Sequence, residues 1–270
     1  MQRSLLCLLF LLIRNLHGAA PEGFVERSWT IQSAQRTALL RIPKLVHRKM
    51  PVVFCWHGHG GTAEHAARAW GLPSEWPEAL LVFPQGLPTP GQLTDPEGRR
   101  TGWQPRPGAQ NDRDLEFFDT LLAALKSEHP LDQNRVYSTG HSNGGGFSYL
   151  LWSQRPGVFA AIAPVAATLG KTLRPGAPLP VLHVAGQKDW LVKFSWQEAT
   201  FAAIRSNNQC RPNPAPWAEL GSLNAQLFDS PIGAPLVTAI HPGGHEYPAG
   251  TAKLVVRFFK EHTRAPVTSQ

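Results

Sequence analysis

The stretch Gly140-His141-Ser142-Asn143-Gly144 decides the fold of this 270-residue chain. It follows a run with the composition of a β-strand, residues 135–139, and precedes a helix-like run, residues 145–153. A serine between two glycines at such a junction is typical of a nucleophile elbow, a strained turn that lifts the hydroxyl out of the backbone. The glycines are needed because the turn leaves no space for Cβ atoms. The pattern also occurs by chance, so its meaning depends on the rest of the chain.

Apolar runs of strand length alternate with helix-like segments on both sides of this motif. Strands are predicted at 51–56, 79–83, 135–139, 159–165, 180–185, 223–229 and 236–240, after one or two antiparallel strands within 28–42. Helices are predicted at 62–70, 112–128, 145–153, 196–206 and 251–262. This alternation indicates an α/β fold with a mostly parallel central sheet that is covered by helices on both faces. In such sheets the functional residues collect at the carboxyl ends of the strands.

Three side chains that follow predicted strands could form a catalytic triad. Ser142 is the candidate nucleophile, which needs a base within hydrogen-bond reach and an acid that orients the base. His245 is the candidate base, in a Gly-rich loop between the last strand and the last helix, and Asp189 is the candidate acid after strand 180–185. The order serine, acid, histidine is that of the α/β-hydrolases. His241, four residues before His245, is the rival base.

Acyl transfer also requires hydrogen-bond donors for an oxyanion. One predicted donor is the backbone N–H of Asn143, directly after the serine. The other should lie in the loop His57-Gly58-His59-Gly60-Gly61, which has the histidine-glycine composition of an oxyanion loop. We assign it to the backbone N–H of His59, with Gly60 as the alternative.

Three histidines lie near one another at 57, 59 and 65. They could be interpreted as a metal cluster, but no Cys, Asp or Glu completes a recognisable ligand spacing. The sequence therefore predicts no metal site and no cofactor.

Nine tryptophans are many for this length, and most should pack in the core and loops. Trp103 lies in the Pro/Gly-rich segment 84–110, whose length without periodicity indicates a functional or disordered loop. Trp190 follows the candidate acid. We predict that Trp103 and Trp190 line the substrate pocket and face an aromatic or alkyl acyl group.

Residues 1–20 have the features of a secretory signal peptide: an early Arg3, an apolar run and small residues before Pro21. The apolar run is too short to span a bilayer, although an uncleaved membrane anchor is the alternative. We therefore expect secretion to an extracellular or periplasmic location, and one catalytic domain over residues 21–270. No other stretch is long and apolar enough to cross a membrane.

The net charge is +7, and it falls to +5 without residues 1–20, which carry two arginines and no acid. The basic residues are scattered, so we expect no nucleic-acid partner. Cys55 and Cys210 remain in the mature chain and could form a disulfide, or Cys55 could be a buried free thiol in its apolar strand. We expect a monomer.

With these motifs the chain, over residues 28 to 262, resembles the secreted feruloyl esterases and polyhydroxybutyrate depolymerases of the α/β-hydrolase fold. The segments that carry the resemblance are 54–61 (FCWHGHGG), 82–86 (VFPQG), 101–104 (TGWQ), 114–119 (DLEFFD), 135–145 (RVYSTGHSNGG), 159–165 (FAAIAPV) and 243–248 (GGHEYP). The resemblance implies that Ser142, Asp189 and His245 match the catalytic positions of that family.

Four residues depart from the pattern of that family, namely His59, His141, Trp190 and Tyr247. None of them removes a catalytic atom, but each could reshape the pocket. The expected activity is that of a serine carboxylesterase acting on feruloyl or similar aromatic esters of plant polysaccharide. A polyhydroxyalkanoate or other polyester is the alternative substrate. A serine peptidase of the same fold and a non-catalytic binding protein rank below these, because no charged pocket or added domain and no eroded triad position is evident.

Overall fold

The computed structural model describes residues 20–44, 49–170 and 172–265. The predicted signal peptide lies outside these residues, apart from Ala20. Within the described ranges, no helix has the length and apolarity of a membrane span.

The described chain forms twelve strands and six α-helices. The strands are β1 (Val25–Ile31), β2 (Ala34–Arg41), β3 (Met50–Trp56), β4 (Leu80–Pro84), β5 (Leu87–Pro88), β6 (Thr101–Gly102), β7 (Leu131–His141), β8 (Ala161–Val165), β9 (Val181–Gly186), β10 (Ala215–Leu220), β11 (Leu223–Phe228) and β12 (Leu236–His241). The helices are α1 (Ala63–Ala69), α2 (Leu72–Glu75), α3 (Arg113–Glu128), α4 (Asn143–Gln154), α5 (Phe194–Asn207) and α6 (Thr251–Glu261).

Ten of the strands form one sheet in the order β1-β2-β4-β3-β7-β8-β9-β12-β11-β10. The six central strands, from β4 to β12, run parallel to one another. An antiparallel pair extends the sheet at each end. The predicted mostly parallel sheet is therefore confirmed, with its antiparallel strands confined to the two edges.

Strand β3 shows why this sheet is covered on both faces. All seven of its residues are buried, and alternate side chains point to opposite faces of a strand. Phe54 and Trp56 pack in one apolar cluster with α3 and α4, whereas Val53 and Cys55 pack in a second cluster with α1 and α6. Burying an apolar side chain of this size stabilises a fold by about 1.5–3 kcal/mol.

The chain reverses its direction of travel across the sheet at β3. Strand β4 lies on one side of β3 and β7 lies on the other. The carboxyl ends of β3 and β7 are neighbours there, since Trp56 pairs with Gly140. A crevice forms at such a switch point and is the usual place for a ligand in an open α/β sheet.

Two parts of the chain differ from expectation. Strand β10 was not predicted, because it contains Pro216, has little periodicity and is largely exposed at the sheet edge. The segment 84–110 is also more structured than a loop, since β5 pairs with β6 and Gly91 bridges Asp95. Cys55 and Cys210 are both free thiols, which decides between the two alternatives left open by the sequence.

Candidate active site

Ser142 lies at the turn between β7 and α4, with a φ of 55° and a ψ of −120°. A Cβ on Gly140 would lie 2.5 Å from the carbonyl of Gly144, and a Cβ on Gly144 would overlap the carbonyl of Trp56. The glycines are therefore required, as the sequence predicted. The strained backbone persists because its surroundings hold it: the Ser142 N–H donates to the carbonyl of Val165 in β8 at 2.8 Å.

A hydrogen-bonded chain of three side chains begins at this serine. The distance from Ser142 Oγ to His245 Nε2 is 2.8 Å. The other ring nitrogen, His245 Nδ1, lies 2.8 Å from Asp189 Oδ2. The structure thus brings together three residues that are far apart in sequence, in the geometry a serine, base and orienting acid require.

The loops that carry the acid and the histidine are tied to each other. The Gln187 N–H donates to His241 O, and the Lys188 N–H donates to Gly243 O, both at 2.9 Å. Because β9 and β12 are neighbours in the sheet, these bonds hold the two loops in register above it. The distance between Asp189 and His245 is therefore fixed by the backbone.

The side chain of Asp189 is fully buried, and both of its carboxylate oxygens accept hydrogen bonds. Oδ1 accepts the N–H groups of Leu191 at 3.0 Å and Val192 at 2.8 Å. Oδ2 accepts a bond from Gln197 Nε2 at 3.2 Å in addition to the one from His245. Four donors on a buried carboxylate leave it one orientation, and they satisfy a charge that burial would otherwise penalise.

A buried polar chain continues behind the acid, and sequence reasoning missed it. Gln197 Oε1 lies 3.0 Å from His183 Nε2, and His183 Nδ1 lies 2.6 Å from the Tyr149 hydroxyl. Burial lowers the pKa of His183 to about 4, so its ring is neutral near pH 7. His183 Nε2–H then donates to Gln197, and Tyr149 donates to Nδ1. The available signal was a histidine in the middle of an apolar strand.

The rival base His241 makes no hydrogen bond to the serine within the described residues. Its side chain is buried, and Nδ1 accepts the Gly243 N–H at 3.2 Å and lies 3.4 Å from Glu246 Oε1. Burial lowers the pKa of His241. Of the two candidate bases, only His245 has a ring nitrogen within hydrogen-bond distance of Ser142.

Two of the predicted oxyanion donors are free in the described structure. Asn143 is the first residue of α4, so its N–H has no acceptor within the helix. The N–H of His59 has no acceptor among the described residues either. Gly60, the alternative donor, is occupied, because its N–H donates to the carbonyl of Thr101 at 2.7 Å.

A cleft of about 450 Å³ opens over Ser142 and His245. One wall is apolar and consists of Leu169, Leu173, Leu191 and Val192. Residues 90–94 and Arg100 also line the cleft. The volume lies within the range of small-molecule sites, and the lining combines apolar side chains with polar ones such as Asn143 and Arg100.

The predicted pocket role of Trp103 is wrong. Its side chain is fully buried, packed edge-on against Trp56 and stacked on Phe147, and its indole N–H donates to His57 O at 2.9 Å. Asn143 holds its backbone with bonds of 2.7 and 3.0 Å. Trp103 thus supports the elbow and the oxyanion loop from below.

The predicted pocket role of Trp190 is also wrong, because this side chain is too exposed and not too buried. It is 75% exposed, and among the described residues it does not line the cleft. The neighbours Leu191 and Val192 line the cleft instead, and their N–H groups bind Asp189. The apolar wall near the acid is therefore made of aliphatic side chains.

The three histidines near the oxyanion loop have separate roles. His57 is buried, with Nε2 accepting the Gly86 N–H at 2.9 Å, and burial lowers its pKa to about 4. His59 binds Asp95, and His65 is exposed. No group of three or more His, Cys, Asp or Glu within the described ranges could hold a metal.

Comparison with known proteins places this geometry in context. No family model matches the sequence. Feruloyl esterase D of Neurospora crassa is 25% identical over 90% of this chain and 88% of its own length. NocK of Nocardia uniformis, named as an esterase, is 29% identical over 74% of this chain and 66% of its own length. Feruloyl esterase B of Piromyces equi is 30% identical over 68% of this chain, which spans 36% of that protein.

Solved structures agree on the fold. An acetyl xylan esterase from Aspergillus awamori superposes with a TM-score of 0.66 at 10% identity and covers 87% of this chain and 99% of its own. A ferulic acid esterase gives a TM-score of 0.61 at 14% identity, over 88% of this chain and 98% of its own. The chain is thus a carboxylic ester hydrolase with the α/β-hydrolase fold, and it is similar over most of its length to proteins named feruloyl esterases.

Proposed function

We propose that this protein is a secreted serine esterase that hydrolyses feruloyl or similar aromatic esters of plant polysaccharide. The observation that carries the proposal is the hydrogen-bonded chain from Ser142 Oγ through the ring of His245 to Asp189 Oδ2, with 2.8 Å at each step.

The first half-reaction forms an acyl-enzyme. Asp189 accepts the Nδ1–H of His245, so Nε2 carries the lone pair that takes the proton of Ser142 as Oγ attacks the ester carbonyl. The negative charge that develops on the carbonyl oxygen is held by the N–H groups of Asn143 and His59. When this tetrahedral intermediate collapses, His245 Nε2–H gives its proton to the leaving alcohol oxygen.

The second half-reaction regenerates the serine. A water molecule attacks the acyl carbonyl and gives a proton to His245 Nε2, and the same two N–H groups hold the oxyanion. Collapse breaks the bond to Ser142 Oγ, returns the proton to that oxygen and releases the carboxylic acid. This scheme uses only side chains and backbone groups of the chain itself.

The substrate class follows from the cleft and from the relatives. Leu169, Leu173, Leu191 and Val192 offer apolar contact to an aryl ring, and the volume of about 450 Å³ leaves space for one. Relatives named feruloyl esterases align with most of this chain. Aromatic acyl groups therefore fit better than a bare acetyl group, which would leave most of the apolar wall unused.

A panel of esters tests the activity and the substrate class together. Methyl ferulate, 4-nitrophenyl acetate, a polyester film and a peptide amide would be compared, with Ser142→Ala as the inactive variant and the distant, exposed Ser127→Ala as its matched control. We expect methyl ferulate to have the highest kcat/KM and only Ser142→Ala to abolish turnover. Hydrolysis that survives Ser142→Ala would contradict the mechanism, and preference for acetyl, polyester or peptide substrates would contradict the substrate class.

Secretion and processing have their own test. The proposal assigns residues 1–20 to a cleaved signal peptide and residues 21–270 to one catalytic domain. N-terminal sequencing of the exported protein should begin at Pro21. Protein that retains residues 1–20, or that stays with the cell membrane, would contradict this part.

A further inference from the structure

The ring of His59 is locked in place although it does not reach the serine. His59 Nε2 lies 3.1 Å from Asp95 Oδ2, and both side chains are nearly buried. The ring fills a slot between two glycines: a Cβ on Gly91 would lie 2.9 Å from it, and a Cβ on Gly102 would lie 2.6 Å from its Nδ1. The slot and the carboxylate leave the ring one position.

Asp95 is itself fixed by the turn that carries it. Its Oδ2 also accepts the backbone N–H of Arg100 at 2.8 Å, and Asp95 exchanges backbone hydrogen bonds with Gly91 at 2.8 and 2.9 Å. The hydrogen bond from Arg100 lowers the pKa of the Asp95 carboxyl, which is therefore ionised near pH 7. A fixed, charged acceptor thus holds the Nε2–H of His59.

The residues after His59 are tied to the same segment. The Gly60 N–H donates to Thr101 O, and the Thr101 hydroxyl donates to Gly61 O, both at 2.7 Å. The N–H of His59 has no acceptor among the described residues, although the groups around it are bonded. A free donor on a restrained backbone is what a preorganised oxyanion site needs.

We propose that Asp95 is a positioning residue of this esterase: by holding the imidazole of His59, it fixes the backbone N–H of residue 59 where the oxyanion develops. This inference rests on the proposed function and extends it to a residue outside the triad. The ring of His59 takes no part in proton transfer, because its free nitrogen Nδ1 is buried against Gly102 without a partner.

The test measures kcat and KM for methyl ferulate in Asp95→Ala and Asp95→Asn, with Glu97→Gln as control. Glu97 lies in the same loop and pairs with Arg99 at the exposed surface. We expect Asp95→Ala to lower kcat about 10-fold to 100-fold with little change in KM, because a donor displaced by about 1 Å costs up to about 10²-fold. Asp95→Asn should keep most of the rate, since its amide oxygen still accepts the Nε2–H, and Glu97→Gln should match wild type.

A transition-state mimic separates positioning from a loss of structure. An aryl boronic acid forms a tetrahedral adduct on Ser142 whose oxygen occupies the oxyanion site, so its affinity should fall in Asp95→Ala by the same factor as kcat. Unchanged boronate affinity, unchanged kcat or a change confined to KM would overturn the inference.

A double-mutant cycle tests whether Asp95 acts through the ring of His59; if Asp95→Ala folds poorly, His59→Ala alone still tests the inference, because it should lower kcat and boronate affinity by the same factor. His59→Ala keeps the backbone N–H but removes the ring that Asp95 holds. If Asp95 acts through this ring, the double variant should be no slower than His59→Ala alone. Additive losses would overturn the inference. The control Ser142→Ala keeps the two proposals distinct. Activity that survives in Ser142→Ala contradicts the serine mechanism. If Ser142→Ala is inactive but Asp95→Ala has the kcat of wild type, only the role of Asp95 is contradicted.

Discussion

Two aspartate–histidine pairs flank Ser142, and they look alike at first sight. Asp189 and His245 are 2.8 Å apart, Asp95 and His59 are 3.1 Å apart, and each carboxylate also accepts backbone N–H groups. They differ in where the second ring nitrogen points. His245 Nε2 reaches Ser142 Oγ, whereas His59 Nδ1 is buried against Gly102. The chemistry of such a pair is therefore set by the free nitrogen and not by the pair itself.

The largest expected effect breaks the pair that reaches the serine. His245→Ala removes the group that takes the proton of Ser142, so kcat for methyl ferulate should fall about 10⁵-fold to 10⁶-fold. The exposed His65→Ala is the matched control and should stay within about twofold of wild type. If a His245→Ala variant kept a tenth of the wild-type kcat, the Asp189–His245 pair would not differ from the Asp95–His59 pair in its role in proton transfer.

The same isosteric change in both acids should have very different effects. In Asp189→Asn the amide N–H group can face His245 Nδ1 and favour the tautomer whose Nε2 cannot accept a proton, so kcat should fall about 10⁴-fold. In Asp95→Asn the amide oxygen can still hold the ring of His59, which takes no part in proton transfer, so kcat should fall only slightly. Similar losses in both variants, measured as kcat with one substrate, would show that the pairs are not distinct in role.

Histidines outside both pairs predict a loss of stability in acid. Burial lowers the pKa of His57, His141 and His183 to about 4, from an ordinary value near 6.5. The unfolded chain therefore binds more protons than the folded one between these values, and the free energy of unfolding should fall as the pH falls from 6.5 to 4. The loss is at most about 3 kcal/mol for each histidine. Urea unfolding at pH 7 and pH 4.5 measures it, and equal free energies would contradict the buried neutral rings.

The smallest effect is expected at Trp190, the exposed tryptophan next to Asp189. Trp190→Ala should change the free energy of unfolding by no more than about 0.5 kcal/mol and leave kcat/KM for methyl ferulate unchanged. Trp103→Phe should cost about 1–3 kcal/mol, because it leaves the buried carbonyl of His57 without its donor. Thermal unfolding with activity assays on both variants checks this, and a changed ester preference in Trp190→Ala would return that residue to the cleft.

The sequence was informative wherever local geometry restricts the choice of residue. The elbow admits only glycine at 140 and 144, and buried parallel strands such as β3 need continuous apolar runs, so both could be recognised in advance. The order of Ser142, Asp189 and His245 then followed from strands whose carboxyl ends share one edge.

Prediction failed where contacts depend on distant parts of the chain. Nothing local marks Asp95 or Gln197, because their partners, His59 and His183, lie in other segments. Trp103 was misjudged for the same reason: a Pro/Gly-rich segment gives no sign that Trp56 and Phe147 close over the indole.

The segment that lines the cleft at residues 90–94 and Arg100 also carries Asp95. An engineer who exchanges this loop to admit a bulkier acyl group would at the same time discard the carboxylate that steadies residue 59. Acyl-group selectivity and turnover are thus coupled through the segment of residues 90–100, and a loop exchange has to retain a hydrogen-bond acceptor at position 95.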